Sequence, residues 1–218
     1  MLHRYHISML KNTLAANFSR TALLEVIAGN LWQDSPLNLL KSYIHFDNCD
    51  FAGGLAHIEE LHSVVANTDD PHLMRRAFGR LTHTAQDFYA HSNYVDLWLA
   101  QHGGVEQTRP PEIDGLDPEL HHSPQLRSGR FFLWRDIIYY LPFVRGFAKK
   151  YMLFADSHEA MNLDAPRSGP KFWYAIMAAK QRTVAEYRRV LQTLGPERAV
   201  LFHGGYVGQS RAALQYSR

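Results

Sequence analysis

Only one cysteine, Cys49, occurs in the 218 residues. No internal disulfide framework and no cysteine-based zinc knuckle can form, so any metal must be held by His, Asp and Glu. Long apolar runs are also missing. The densest stretch, residues 131–144, is interrupted by Arg135, Asp136 and Pro142 and is shorter than the roughly 18 to 20 apolar residues a membrane span needs. It reads either as a buried helix or as an aromatic, partly basic surface that meets lipid at an interface. The start of the chain has no apolar run after a basic head, so we expect no secretory signal and a cytoplasmic location.

Further absences narrow the chemistry. There is no G-x-x-x-x-G-K-[ST] phosphate loop, no G-x-S-x-G elbow and no contiguous His-Asp dipeptide. No Pro/Gly/Ser-rich linker divides the chain, and a formal net charge of +2 gives no nucleic-acid footprint by itself. Period-two alternation is absent, so we expect an all-α fold in a single domain. No internal repeat is evident.

What the chain does have is 13 histidines. Between Pro71 and Gln101 no proline interrupts the helical spacing, and Asp70-Pro71 supplies a cap and a first-turn proline. The spacing predicts one helix of about 30 residues, stopped by Gly103-Gly104. Within it, His83, Asp87 and His91 follow one another at steps of four. Each step advances only about 40° round a helix, so the three side chains share one stripe. Two imidazoles and a carboxylate there suit a borderline metal such as zinc. The aromatic neighbours Phe88, Tyr89 and Tyr94 imply that the stripe is at least half buried, where charges need partners.

Other helices are expected over residues 4–16, 21–32 after an Asn17/Ser19 turn and cap, 53–66, 130–141, 143–156 and 170–194, the last stopped by Gly195-Pro196. Residues 103–129 carry four prolines and four glycines and read as a long irregular loop. Further donors stand at separated positions: His3 and His6 on the first helix, Asp34 after the second, His45 in His-Phe-Asp-Asn, and Asp156-Ser-His158-Glu159. Helical bundles assemble metal sites from such scattered positions. Two Glu-x-x-His motifs, Glu59–His62 and Glu119–His122, suggest a di-iron bundle, but the second falls in the proline-flanked loop and disfavours that reading. Gln86, Ser92 and Asn93 are placed to orient the imidazoles, or else are plain helix-surface polarity.

Residues 79–97, GRLTHTAQDFYAHSNYVDL, resemble the signature of heterokaryon-incompatibility-C (HET-C) type proteins, in which the HFDN of residues 45–48 also recurs. More distantly the pattern is similar to zinc-dependent phospholipases C and zinc single-strand nucleases. The resemblance implies an all-α phosphoester hydrolase holding two or three zinc ions. It implies Asp34, His45, His83 and Asp87 around one ion, and Asp87 bridging to a second held by the N-terminal region, where His6 fits best. His91 and His158 would hold a third. The phospholipases also use a free amino terminus as a ligand. Here Leu2 follows Met1, so either His3 stands in or that metal is absent. Asn162 sits where the pattern has Glu or Asp, leaving Asp156, Glu159 or Asp164 to complete the third site. Asp34 is the expected orienter of the attacking water. The expected substrate is a phosphate ester, phospholipid ahead of nucleic acid, with peripheral membrane contact through residues 131–154. HET-C proteins are linked to incompatibility and cell-death responses, so a metal-stabilised, non-catalytic effector is the rival reading.

Overall fold

The computed structural model describes residues 1–130 and 161–205. The helices expected over 130–141 and 143–156, and the aromatic segment 131–154, lie outside the described residues, apart from Arg130. Among the described residues the fold is all-α, with no strand and only isolated bridging such as that between Ser92 and Ser128. None of these helices is long and apolar enough to cross a membrane.

The helices are α1 (His3–Leu14), α2 (Arg20–Trp32), α3 (Ser42–His45), α4 (Phe51–Asn67), α5 (Pro71–His91), α6 (Tyr94–Gln101), α7 (Pro118–His121), α8 (Lys171–Thr193) and α9 (Pro196–His203). Their starts follow local chemistry. Ser19, Asp50 and Asp70 each accept from a backbone N–H of the first turn, at Ala22, Gly53 and His72. The Asp50 cap is why α4 begins two residues before the expected 53.

Helix α5 is the axis of the molecule, enclosed by α2, α4 and α8. From Leu81 to His91 every one of its residues is buried. Where α2 crosses it, Gly29 meets Gly79 backbone to backbone. This close approach lets the end of α2 lie against the middle of α5.

Two expectations need correction and a third gains a detail. The predicted 30-residue helix is two helices, broken at Ser92, whose backbone is extended (φ −108°, ψ 167°). Residues 127–129 close on the break: Gly129 N–H donates to His91 O (3.1 Å) and Asn93 N–H to Arg127 O (2.9 Å). The sequence of α5–α6 keeps a helical period throughout, so only this distant segment explains the break. The 103–129 loop is less irregular than expected, since it holds a 3₁₀ turn at Pro110–Glu112 and α7. Gly195-Pro196 does end α8, but Pro196 also takes the first position of α9.

Away from the stripe, α4 and α8 are joined by a buried relay. His62 Nε2 lies 2.6 Å from Glu186 Oε2, and Arg182 Nε donates to Glu186 Oε1 at 2.5 Å. Burial alone would push the Glu186 pKa up, but His62 and Arg182 hold it below its ordinary 4.5. A carboxylate with a depressed folded pKa stabilises the fold above its unfolded pKa and loses that contribution as pH falls through the folded value. Stability should therefore drop as pH falls below about 4.5, and that part of the acid slope should be missing in Glu186→Gln. Urea midpoints measured from pH 6 to pH 3 check this.

Candidate metal centre

The stripe anticipated on α5 faces inward: His83 and Asp87 are fully buried and His91 nearly so. Two loops deliver the remaining donors. The end of α2 carries Asp34. Residues 46–49 carry three left-handed residues, Phe46 (φ 57°), Asn48 (φ 58°) and Cys49 (φ 57°), each costing on the order of 1–3 kcal/mol. The turn is held from outside by Asn48 N–H donating to Gly129 O (2.9 Å) and Cys49 N–H to Ser128 Oγ (2.8 Å). In return it aims two groups of His45 at α5: Nδ1 at Asp87 Oδ2 (2.9 Å) and the backbone carbonyl at His91 Nδ1 (2.9 Å).

Asp34, His45, His83 and Asp87 form a buried group able to hold a metal ion, one ligand atom from each lying within 4.8 Å of all the others. His83 Nε2 is 3.0 Å from Asp87 Oδ2, 3.4 Å from His45 Nδ1 and 3.6 Å from Asp34 Oδ1. Metal–ligand bonds of about 2.0–2.1 Å in a tetrahedron place ligand atoms about 3.3–3.4 Å apart, and these separations straddle that value. Asp34, with 14% of its side chain exposed, is the least buried of the four.

The second carboxylate oxygen of Asp87 faces another set. Oδ1 lies 2.8 Å from the Met1 amino nitrogen and 3.3 Å from His6 Nε2. That amino group also lies 3.0 Å from Asp164 Oδ1 and 3.3 Å from His91 Nε2. Burial would push its pKa down, but Asp164 and Asp87 outweigh that and hold it at about 11. For Asp87 itself, burial pushes upward, while the amino group, His83, His91 and His6 hold it well below the usual carboxylate range. Burial drives the His83 pKa down to about 4, against the pull of Asp87. Burial also lowers that of His45, but Asp87, Asp47 and Asp34 prevail and raise it.

The protonated ring nitrogen of His6 follows from the hydrogen bonds behind it. Thr183 Oγ1 donates to Ala179 O (2.8 Å), so it accepts from Gln86 Nε2 (3.0 Å). Gln86 Oε1 therefore points the other way and accepts from Asn30 Nδ2 (3.2 Å) and His6 Nδ1 (2.6 Å). With its proton on Nδ1, a neutral His6 turns the Nε2 lone pair toward Asp87 Oδ1, and that nitrogen has no hydrogen bond. A lone pair facing a carboxylate oxygen in a dry interior is unfavourable without a cation nearby, and the Met1 amino group, 2.8 Å from Asp87 Oδ1, supplies positive charge there. By the same reasoning His91 donates from Nδ1 to His45 O and presents Nε2 to Asp164 Oδ1 (3.2 Å).

Several sequence expectations are placed differently. His3 is not among the inner donors. Its side chain is 61% exposed, and its Nε2 lies 2.9 Å from Asp34 Oδ2 on the outer side. Ser92 and Asn93 do not orient imidazoles: Ser92 Oγ donates to Phe88 O, and Asn93 bonds the backbone of Gln125 and Arg127. Both serve the α5–α6 break. Asn162 bonds to none of these donor atoms among the described residues, whereas Asp164, two positions on, does. It is brought in because Leu163 N–H donates to the free carbonyl of Ala90 at 2.7 Å. His158, Glu159 and Asp156 lie outside the described residues. Asp47, unassigned from sequence, has Oδ1 3.6 Å from His91 Nδ1; its place in HFDN beside His45 was the available signal.

These features define an all-α protein built round a buried His/Asp donor cluster. The family model described as the VWA7 N-terminal domain matches residues 5–103, less than half of the chain. The chain is similar to that family from α1 through α6, a stretch that contains His6, Asp34, His45, Asp47, His83, Asp87 and His91. No curated protein and no solved structure matches the chain.

Proposed function

We propose that the chain is a zinc-dependent phosphoester hydrolase of the phospholipase C/HET-C kind. The observation that carries this reading is Asp87, fully buried, with one carboxylate oxygen turned to His45 and His83 and the other to His6 and the Met1 amino group. Such a carboxylate is suited to bridge two cations. All the donors are nitrogen or oxygen, in the mixture zinc accepts. Zinc bound there would supply a nucleophile near neutral pH by lowering the pKa of a bound water, and would take up charge on the phosphate oxygens.

The chain's own residues have distinct tasks. Asp34 retains solvent contact and serves as the group that orients a water and accepts its proton, with His3 near Oδ2 on the outer side. Asp87, His45 and His83 fix the inner site. Gln86 holds His6, and the His45 carbonyl holds His91. Apolar residues near Asp34 in the chain favour a phospholipid substrate over nucleic acid: Trp32, Leu37 and Leu40 are more than half exposed and Leu39 nearly so, and exposed apolar side chains can enter a lipid interface.

The test has two arms. Purified protein should carry at least about one zinc per chain and hydrolyse bis(p-nitrophenyl) phosphate, with activity lost to chelator and restored by zinc. On phosphatidylcholine vesicles, Leu37→Asp/Leu40→Asp should lower turnover while leaving the soluble diester unaffected. Bound zinc without hydrolysis of either substrate would favour the metal-stabilised, non-catalytic reading. That rival is supported by the near-complete enclosure of His45, His83 and Asp87.

The relay behind His6 gives a further expectation. Thr183→Val keeps the side-chain shape but frees the Gln86 amide to turn. Outer partners of metal-bound histidines are worth about 10–100-fold in affinity. Zinc affinity measured by chelator competition should fall by that factor with the unfolding midpoint changed little by comparison.

A further inference from the structure

Roughly a third of a turn round α5 from the His/Asp stripe, at about 100° per residue, lies a separate cavity of about 310 Å³. Its floor is apolar, made by Phe46, Ile58, Ala85 and Phe88. Leu55 and Leu116 stand half exposed at its rim. The polar lining comes from Arg182, His121 and His122. A volume of this order falls within the range of small-molecule sites. At about 30 Å³ per water-sized group it holds about ten non-hydrogen atoms.

Two observations set the chemistry of the occupant. The first is that the Arg182 charge is already answered. Its Nε donates to the buried Glu186, which His62 also contacts, and its guanidinium reaches the Tyr89 hydroxyl. An anionic head group placed against Arg182 would be repelled by Glu186, so the guanidinium edge facing the cavity offers hydrogen bonds rather than unpaired charge.

The second concerns His121. Its Nε2 lies 3.0 Å from Gly115 O, which can only accept, so Nε2 carries the proton and Nδ1 is left as an acceptor. Burial pushes its pKa down, which keeps the ring neutral. The ring stacks on Phe88 in the cavity floor (centroids 4.9 Å apart, planes at 24°). The polar lining thus combines a donor edge with a neutral acceptor, and a hydroxyl matches both with one atom.

We propose that this cavity is a binding site for an uncharged, largely apolar alcohol or phenol of about ten non-hydrogen atoms, its hydroxyl set between Arg182 and His121. The site is independent of the metal centre and of the hydrolase reading.

Calorimetric titration of the full chain with 2-naphthol, naphthalene and 2-naphthoate tests this. One equivalent of 2-naphthol should bind about tenfold more tightly than either relative, the margin of roughly one well-made hydrogen bond. His121→Phe keeps an aromatic ring against Phe88 and removes the acceptor, so it should reduce 2-naphthol to the affinity of naphthalene. Ala85→Leu, which fills the floor, should abolish all three. Equal binding of the three probes, preference for the anion, no saturation by 2-naphthol below about 1 mM, or 2-naphthol binding unchanged in His121→Phe would each overturn the proposal. If Ala85→Leu fails to fold, the ratio of 2-naphthol to naphthalene in His121→Phe still decides it.

Discussion

Asp87→Asn is expected to empty the metal centre and to cost more activity than any other single change in it. Asparagine has nearly the same shape but no charge, and its nitrogen end cannot accept from or ligate anything. Asp87 is the residue shared by the two donor sets, at 2.9 Å from His45 Nδ1, 3.0 Å from His83 Nε2 and 2.8 Å from the Met1 amino group. Losing an outer partner of a metal ligand costs about 10–100-fold. If Asp87 bridges as proposed, its loss should exceed that, with phosphodiester hydrolysis down by more than about 100-fold and zinc per chain well below that of the wild type. The metal-free protein should suffer too. A buried positive group that loses one of its charged partners is destabilised, and the Met1 amino group would keep Asp164 as its only carboxylate, with His91 Nε2 beside it. Zinc analysis by mass spectrometry and urea denaturation in chelator separate the two effects. If zinc content and activity both survive in Asp87→Asn, the proposed centre is wrong. If zinc remains and only hydrolysis is lost, Asp87 acts in the reaction rather than in holding the metal.

Parts of this centre are legible in the sequence because they are local. A spacing of four places His83, Asp87 and His91 on one stripe wherever a helix forms, and aromatic neighbours imply that the stripe is covered. The helix starts are legible for the same reason: Ser19, Asp50 and Asp70 cap with atoms two or three residues away. Asp34 and His45 cannot be tied to the stripe by spacing; only the resemblance to HET-C and phospholipase C proteins suggests them. Asp164 and the Met1 amino group arrive through backbone contacts that no local pattern encodes, and Asp47 shows only as part of HFDN beside His45. The left-handed turn at residues 46–49 depends on Ser128 and Gly129, and Asp164 depends on Leu163 reaching the Ala90 carbonyl. The break at Ser92 is hidden likewise, because Arg127 and Gly129 bond there to Asn93 and His91 although the residues themselves favour a continuous helix. Ser92 and Asn93 therefore look like outer partners of the metal in the sequence while bonding backbone in the structure.

The helix crossing that brings Asp34 to His83 is the other point of high sensitivity, and Gly79→Ala is expected to break it. In an isolated helix this change is favourable by about 1 kcal/mol, since alanine loses less entropy than glycine. Here the opposing term is larger. A Cβ on Gly79 would lie 2.1 Å from Val26 O, 2.7 Å from Asn30 N and 3.0 Å from Gly29 Cα, all backbone atoms of α2. No rotamer change relieves such contacts, so α2 itself has to move. Overpacking a tight interior costs about 1–3 kcal/mol even when side chains can adjust, and backbone against backbone should bring the net loss to about 3 kcal/mol or more. Gly195→Ala is the control, because nothing lies within 4 Å of its Cβ position and its φ of −66° suits any residue; its urea midpoint should be close to wild type. The displacement also reaches the metal centre, because α2 carries Asn30, which bonds Gln86 behind His6, and leads into Asp34. In whatever fraction of Gly79→Ala folds, zinc affinity should fall along with stability. A variant as stable as wild type would mean that α2 and α5 do not cross at these glycines.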